Sequence, residues 1–123
     1  MSITFDTGAL IGLERRHPRI RQVVERAKER GFDIHVPSVC VAEWWRKRSD
    51  RAERILDAFE IVHTDDELVR LAGEAQAVVA IATTIDAIVM ASAARRGGVV
   101  YTSDFDDLDR LRTVFPTVRV LAV

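Results

Sequence analysis

Short apolar runs alternate with segments whose apolar residues recur at helical spacing along nearly the whole chain. Ser2–Phe5 reads as a short buried strand, and Gly8 to Arg16 as a helix with Ala9, Leu10 and Leu13 on one side. His17-Pro18 breaks that helix, and Pro18 suits the first position of the next one. Ile20, Val23, Val24 and Ala27 then keep the helical period, and Gly31 provides a C-terminal stop. Ile34–Val36 is a second strand, ending at Pro37-Ser38. A helix is expected from there through Glu43 and Trp44-Trp45 to about Arg48, followed by another over Arg51–Ala58. Phe59–Val62 reads as a third strand. Thr64-Asp65-Asp66-Glu67 has the form of a capping box with Thr64 at the cap, opening a helix whose inner face is Leu68, Leu71, Ala72, Ala75 and Val79. A helix from Thr84 to Arg96 closes on Arg95, Arg96 and Gly97, which suit its C-terminal dipole and stop. Val99–Thr102 is a strand, Asp107–Val114 a short helix and Val118–Leu121 a last strand.

This alternation predicts an α/β fold: a three-layer α/β/α sandwich with a mainly parallel central sheet, one domain over residues 1–123. A hydrophobic share of 48% is enough for a core, and 30% charged residues suit a water-facing surface. The single cysteine, Cys40, has no partner for an internal disulfide and reads as a small buried hydrophobe. The N-terminal residues lack the basic and long apolar regions of a signal peptide. Ala77–Ala94 is long enough for a membrane span. It is built on alanine, carries Asp86 and contains a helix start at Thr83-Thr84, so a buried soluble helix is expected and no membrane contact.

The net charge of −1 does not mark a bulk-basic nucleic-acid binder. The basic residues are almost all arginine and fall in clusters: Arg15, Arg16, Arg19 and Arg21; then Arg46, Lys47, Arg48, Arg51 and Arg54; then Arg95 and Arg96. Arginine suits bidentate phosphate contacts. Each cluster alone reads as a solvated helix face, and the set gains functional meaning only if it rings an acidic site.

Such a site is suggested by Asp6, Glu43, Asp86 and Asp104. Asp6 and Asp104 follow strands, Glu43 is on the helix after the second strand, and Asp86 interrupts an otherwise apolar or small stretch. Ligands of open parallel sheets bind at the carboxyl ends of the strands, where one sheet edge can collect all four acids. Taken singly, Asp6 and Asp104 could be helix caps, Glu43 a solvated side chain and Asp86 a first-turn acid. Taken together they conflict. Two bare carboxylates ~4 Å apart repel by roughly 1 kcal/mol at the dielectric of water and ~4 kcal/mol at an effective value near 20. A divalent cation or raised pKa values would resolve this, and an all-oxygen donor set suits magnesium or manganese. Bound at such a site, these metals activate water and stabilise charge in phosphodiester hydrolysis. His17, His35 and His63 form no ligand set or triad; His35 reads as a satisfied core residue. Trp44 and Trp45 point about 100° apart on a helix, one toward the core and the other toward a partner or base.

Four short pieces in order carry a resemblance: Phe5-Asp6-Thr7-Gly8-Ala9-Leu10, Val41-Ala42-Glu43, Thr84-Ile85-Asp86-Ala87 and Tyr101-Thr102-Ser103-Asp104-Phe105-Asp106-Asp107-Leu108. The chain resembles the PIN-domain ribonucleases, and among them the VapC-type toxins of toxin–antitoxin pairs. The resemblance implies a cytoplasmic, Mg2+- or Mn2+-dependent endoribonuclease that acts on RNA, is neutralised by a small VapB-type antitoxin and forms a homodimer. It implies an acidic quartet of Asp6, Glu43, Asp86 and Asp104, with Asp6 and Asp86 as direct metal ligands and Glu43 and Asp104 completing the site directly or through water. Thr7 and Ser103 stand where relatives place supporting hydroxyls. Asp106 is an extra acid available as a substitute or second-metal ligand, and Asp107 is assigned to the short helix. The rival from another class is a catalytically silent module of the same fold that only holds a protein partner. A receiver domain would want an acid pair after the first strand and a late lysine. A haloacid-dehalogenase-like phosphatase would want an acid at position 8, which is glycine.

Overall fold

A computed structural model describes residues 2–123; Met1, the first residue of the expected domain, lies outside the described residues. The chain runs β1 (Ser2–Phe5), α1 (Thr7–Glu14), α2 (Pro18–Arg30), β2 (Asp33–Pro37), α3 (Ser38–Trp44), α4 (Asp50–Asp57), β3 (Glu60–Val62), α5 (Asp66–Val78), α6 (Thr84–Arg95), β4 (Val99–Thr102), α7 (Phe105–Arg110) and β5 (Arg119–Ala122), with one 3-10 turn, Leu111–Thr113, after α7.

The five strands form one sheet in the order β3-β2-β1-β4-β5. Every neighbouring pair is parallel, so the sheet is wholly rather than mainly parallel. Helices α1 to α4 pack on one another and on one face, and α5 to α7 make up the other layer. Covered on both sides, the strands carry apolar residues almost without alternation: Ile3, Phe5, Ile34, Val36, Val99 and Val100 are all buried. The chain builds outward from β1 through β2 to β3, then crosses back to place β4 and β5 on the opposite side of β1. The strand order therefore reverses between β1 and β4, and the crevice beyond their carboxyl ends is where such sheets bind ligands.

Helix boundaries follow local chemistry. Asp6 caps α1, its carboxylate accepting from Ala9 N at 3.0 Å. Pro18 starts α2, and Gly31 ends it in the left-handed conformation at φ 69°. Three elements depart from expectation. The helix carrying Glu43 stops at Trp44, because Trp45 is already extended (φ −67°, ψ 123°), so residues to Arg48 are not helical. The cap of α5 is Asp65, which accepts from Leu68 N at 2.9 Å, and not Thr64, whose buried hydroxyl has no hydrogen-bond partner. Asp65 also receives both guanidinium nitrogens of Arg95, at 2.6 and 3.0 Å, which pull its pKa down to about 2. The last helix starts at Phe105 and not at Asp107. Ala77–Ala94 is divided between the end of α5 and most of α6, and among the described residues no helix is long and apolar enough to cross a membrane. Trp44 is buried and Trp45 half-buried, their rings edge-on with centroids 6.1 Å apart.

Candidate active site

A cavity of about 220 Å³ opens at the carboxyl end of the sheet, lined by Asp6, Thr7, Gly8, Glu43, Thr83, Ile85, Asp86, Asp104 and Asp107. It brings together all four acids singled out in the sequence. The parallel register of β1 and β4 pairs Phe5 with Tyr101, which sets the residues that follow, Asp6 and Thr102, side by side. The Thr102 hydroxyl donates to Asp6 Oδ2 at 2.6 Å and accepts from Asp104 N at 2.8 Å, so one buried side chain orients both strand-end acids. Glu43, near the end of α3, accepts from the Thr7 hydroxyl at 2.5 Å. Asp86 lies in the first turn of α6, where Thr83 caps its backbone N–H at 3.1 Å.

The electrostatics are those of crowded acids. Asp6 is only 6% exposed. Burial pushes its pKa up to about 6; hydrogen bonds from Thr102 and Ala9 pull the other way, and the charges of Asp104 and Asp86 add to the rise. Asp86 is half-buried and raised as well, by burial first and then by the charges of Asp107, Asp104 and Glu43, against a hydrogen bond from the Thr83 side chain to its carboxyl. Among the described residues, no lysine or arginine lines the cavity. None of the clustered arginines lines it, although Arg15 lines the neighbouring cavity that shares Gly8. Arg19 lines a separate groove with Arg26, Arg30 and Arg119, and Arg51 donates to the carbonyls of Leu13 and Glu14 at the end of α1.

The donors facing the cavity are carboxylate and hydroxyl oxygens, they repel one another, and no side-chain cation offsets them. That combination fits a hard divalent cation. The fit is to an open pocket and not a closed cage. Among the described residues, the one group of three acids or imidazoles whose ligand atoms lie within 4.8 Å of one another is elsewhere, at Asp33, His35 and Glu60.

Two supporting residues fall outside the cavity. Ser103 lines the neighbouring one with Gly12, Arg15, His17 and Val123, a cavity that shares Gly8 with the acidic one. A Cβ on Gly8 would stand 3.2 Å from Ser103 Cβ and 3.3 Å from Asp6 Oδ1, so glycine leaves room for both. Asp106 is exposed and does not line the cavity, whereas Asp107, assigned in sequence to the helix alone, does. With the helix starting at Phe105, both acids fall in its first turn, and it is Asp107 that meets the cavity. Asp104 is at the N-cap position of that helix, but its side chain makes no capping bond, leaving its carboxylate free. Sequence reasoning missed Thr102 and Thr83 as site residues. Cys40 is fully buried, and burial with the nearby charges of Asp6 and Glu43 pushes its thiol up to about 12, which leaves it unreactive.

The PIN domain model matches residues 3–113, and the chain belongs to the PIN domain family. No curated protein sequence matches it significantly. Among solved structures it resembles VapBC2 from Rickettsia felis, bound to a DNA fragment from its promoter, with a TM-score of 0.78 at 16% identity over 100% of this chain and 99% of that one. FitAcB from Neisseria gonorrhoeae gives 0.72 at 16% identity, over 97% and 96% of the two chains. VapBC-5 from Mycobacterium tuberculosis, a member of the VapBC family of toxin–antitoxin systems, gives 0.61 at 20% identity, over 99% and 98%. At these identities the likeness establishes the fold.

Proposed function

We propose that this PIN domain is a metal-dependent endoribonuclease, the toxin of a toxin–antitoxin pair, cutting RNA with water activated in the acidic pocket. One observation carries the reading: Asp6, Glu43, Asp86 and Asp104 converge on a single cavity that no cationic side chain lines. Asp6 and Asp86 would hold the cation, with Asp104 and Glu43 completing the site; the all-oxygen set favours Mg2+ or Mn2+. Bound there, the metal would lower the pKa of water and stabilise negative charge on the phosphodiester.

The chain's own residues supply position. Thr102 holds Asp6 and the Asp104 backbone in one fixed relation. Thr7 occupies Glu43 Oε1, leaving Oε2 to accept a proton from the attacking water. Thr83 fixes the first turn of α6 and with it Asp86. Asp107 adds a fifth carboxylate at the wall. Holding these groups before substrate arrives removes reorganisation from the chemical step.

The toxin assignment, with a small antitoxin as partner, draws on the VapBC and FitAB complexes that share the fold. Dimerisation belongs to the same reading; Val69, Val78 and Ile81 are exposed apolar residues on and just after α5 that an interface would cover. A cytoplasmic location is part of it too.

The test is cleavage of total cellular RNA by the purified, antitoxin-free protein in Mg2+, in Mn2+ and in EDTA, beside Asp6→Asn. Discrete fragments that require both metal and Asp6 are expected, with the Asp6→Asn protein folded and inactive. Wild-type cleavage by Asp6→Asn would sink the mechanism. Silence from folded wild-type protein in every lane would favour the non-catalytic partner-binding module.

A further inference from the structure

A second cluster of ligand-type side chains lies on β2 and β3, away from the acidic pocket. His35 is paired with Glu60 in the parallel register of these strands, and Asp33 lies two residues before His35, on the same strand face. One ligand atom from each of the three lies within 4.8 Å of the other two. The imidazole is 4% exposed, whereas Asp33 and Glu60 face solvent. His35 Nδ1 is buried and makes no hydrogen bond. Glu60 Oε2 stands 3.4 Å from it. That is longer than the usual N–H···O separation of about 2.9–3.0 Å. It equals the edge of a coordination tetrahedron: two donors each ~2.1 Å from zinc and ~109° apart are separated by ~3.4 Å. A buried ring nitrogen without a partner is costly, and native interiors rarely leave one.

We propose that Asp33, His35 and Glu60 bind a zinc-like divalent transition cation through His35 Nδ1 and one oxygen of each carboxylate, with water completing the tetrahedron. One imidazole and two carboxylates form a nitrogen–oxygen set that zinc accepts, distinct from the all-oxygen acidic pocket. The charge of Arg96 also acts on His35 and opposes a second cation, so both carboxylates are required to balance it. The structural consequence is local. β3 has three residues and lies at the edge of the sheet, and a cation bonded to both strands would fasten it to β2. None of the three ligands lines the acidic cavity, so the site stands or falls apart from the nuclease reading.

The experiment is calorimetric titration of the full chain with zinc chloride, with thermal unfolding in the same buffers, for wild type, Asp33→Asn, Glu60→Gln and Asp6→Asn. Asp33 and Glu60 are exposed, so their neutral variants are expected to fold. The expected result is one zinc equivalent, beyond any held by the acidic pocket and therefore retained in Asp6→Asn, that raises the melting temperature. It should weaken at least about tenfold in Asp33→Asn and Glu60→Gln, while binding in Asp6→Asn and magnesium-dependent cleavage by the first two stay unchanged. Absence of zinc binding by wild type, a full set of zinc equivalents that survives both Asp33→Asn and Glu60→Gln, or loss of every equivalent in Asp6→Asn would each overturn the proposal. Zinc binding without any RNA cleavage would uphold this site and defeat the nuclease reading.

Discussion

Two hydroxyls set the geometry of the acidic pocket. Thr102 links Asp6 to Asp104, and Thr7 holds Glu43. Neither is asked to react; they position the acids on which the proposed chemistry rests. Thr7→Val keeps the shape of the side chain and removes the donor to Glu43. Because Thr7 is only half-buried, the change should cost little stability, yet a charge-assisted hydrogen bond lost from the site should slow cleavage about tenfold. Initial rates on a mapped RNA, with melting as a control, would check this; an undiminished rate would remove Thr7 from the account. The four acids were legible as a group in the sequence, since Asp6 and Asp104 follow strands, Glu43 lies on the helix after β2 and Asp86 interrupts an apolar stretch; Thr7 came only with the family resemblance. Thr102 was not legible. Its role depends on the β1–β4 register, which places it beside Asp6 across a sequence gap of 96 residues, and no local pattern encodes that register. Asp107 was missed for a related reason: which of two adjacent acids meets the cavity depends on how the short helix is set against it.

Among the elements, α6 matters most to the site. It packs against β1, β2 and β4 with Ala87 to Ala93 buried, and its first turn presents Asp86. Thr83 joins these roles, since its hydroxyl caps the Asp86 N–H. Thr83→Ala should therefore lower stability by about 1 kcal/mol, as cap removals do, and also reduce cleavage by loosening the turn that holds Asp86. Denaturant unfolding and cleavage rates on the same preparation would measure both, and a loss of stability with full activity would separate the cap from the site. Strands and most helices were readable because buried parallel strands are apolar throughout and Pro18, Gly31 and Gly97 punctuate the chain. The overextended helix after Glu43 was not readable. Trp44 and Trp45 both permit a helix, and the turn to extended backbone at Trp45 accompanies packing that buries the first ring fully and the second only in part.

For the whole molecule, the strand order and the charge distribution act together. The reversal between β1 and β4 brings acids from distant parts of the sequence to one crevice whose lining holds no arginine, while Arg51 and Arg95 tie elements together. The pocket therefore carries unbalanced negative charge inside a chain of net charge −1. This has a sign in stability. A carboxyl raised in the folded state binds its proton more tightly there than in the unfolded chain. The stability that Asp6 contributes is thus complete below its ordinary value of 3.8 and is lost as pH rises through about 6. For a two-unit rise in a buried group this amounts to about 3 kcal/mol at most. Asp86 acts in the same direction. His35 acts oppositely, since burial and then Arg96 lower its pKa, so its contribution grows as pH rises toward and past its ordinary value of 6.5. A bound divalent cation would replace the lost protons in the pocket. The decisive measurement is the melting temperature of the full chain from about pH 4 to about pH 8, metal-free and in excess Mn2+, for wild type and Asp6→Asn. Metal-free wild type should fall relative to the variant as pH rises through about 6, and Mn2+ should restore wild type but not Asp6→Asn. An unchanged wild-type profile in Mn2+, or equal stabilisation of both proteins, would contradict metal binding by Asp6.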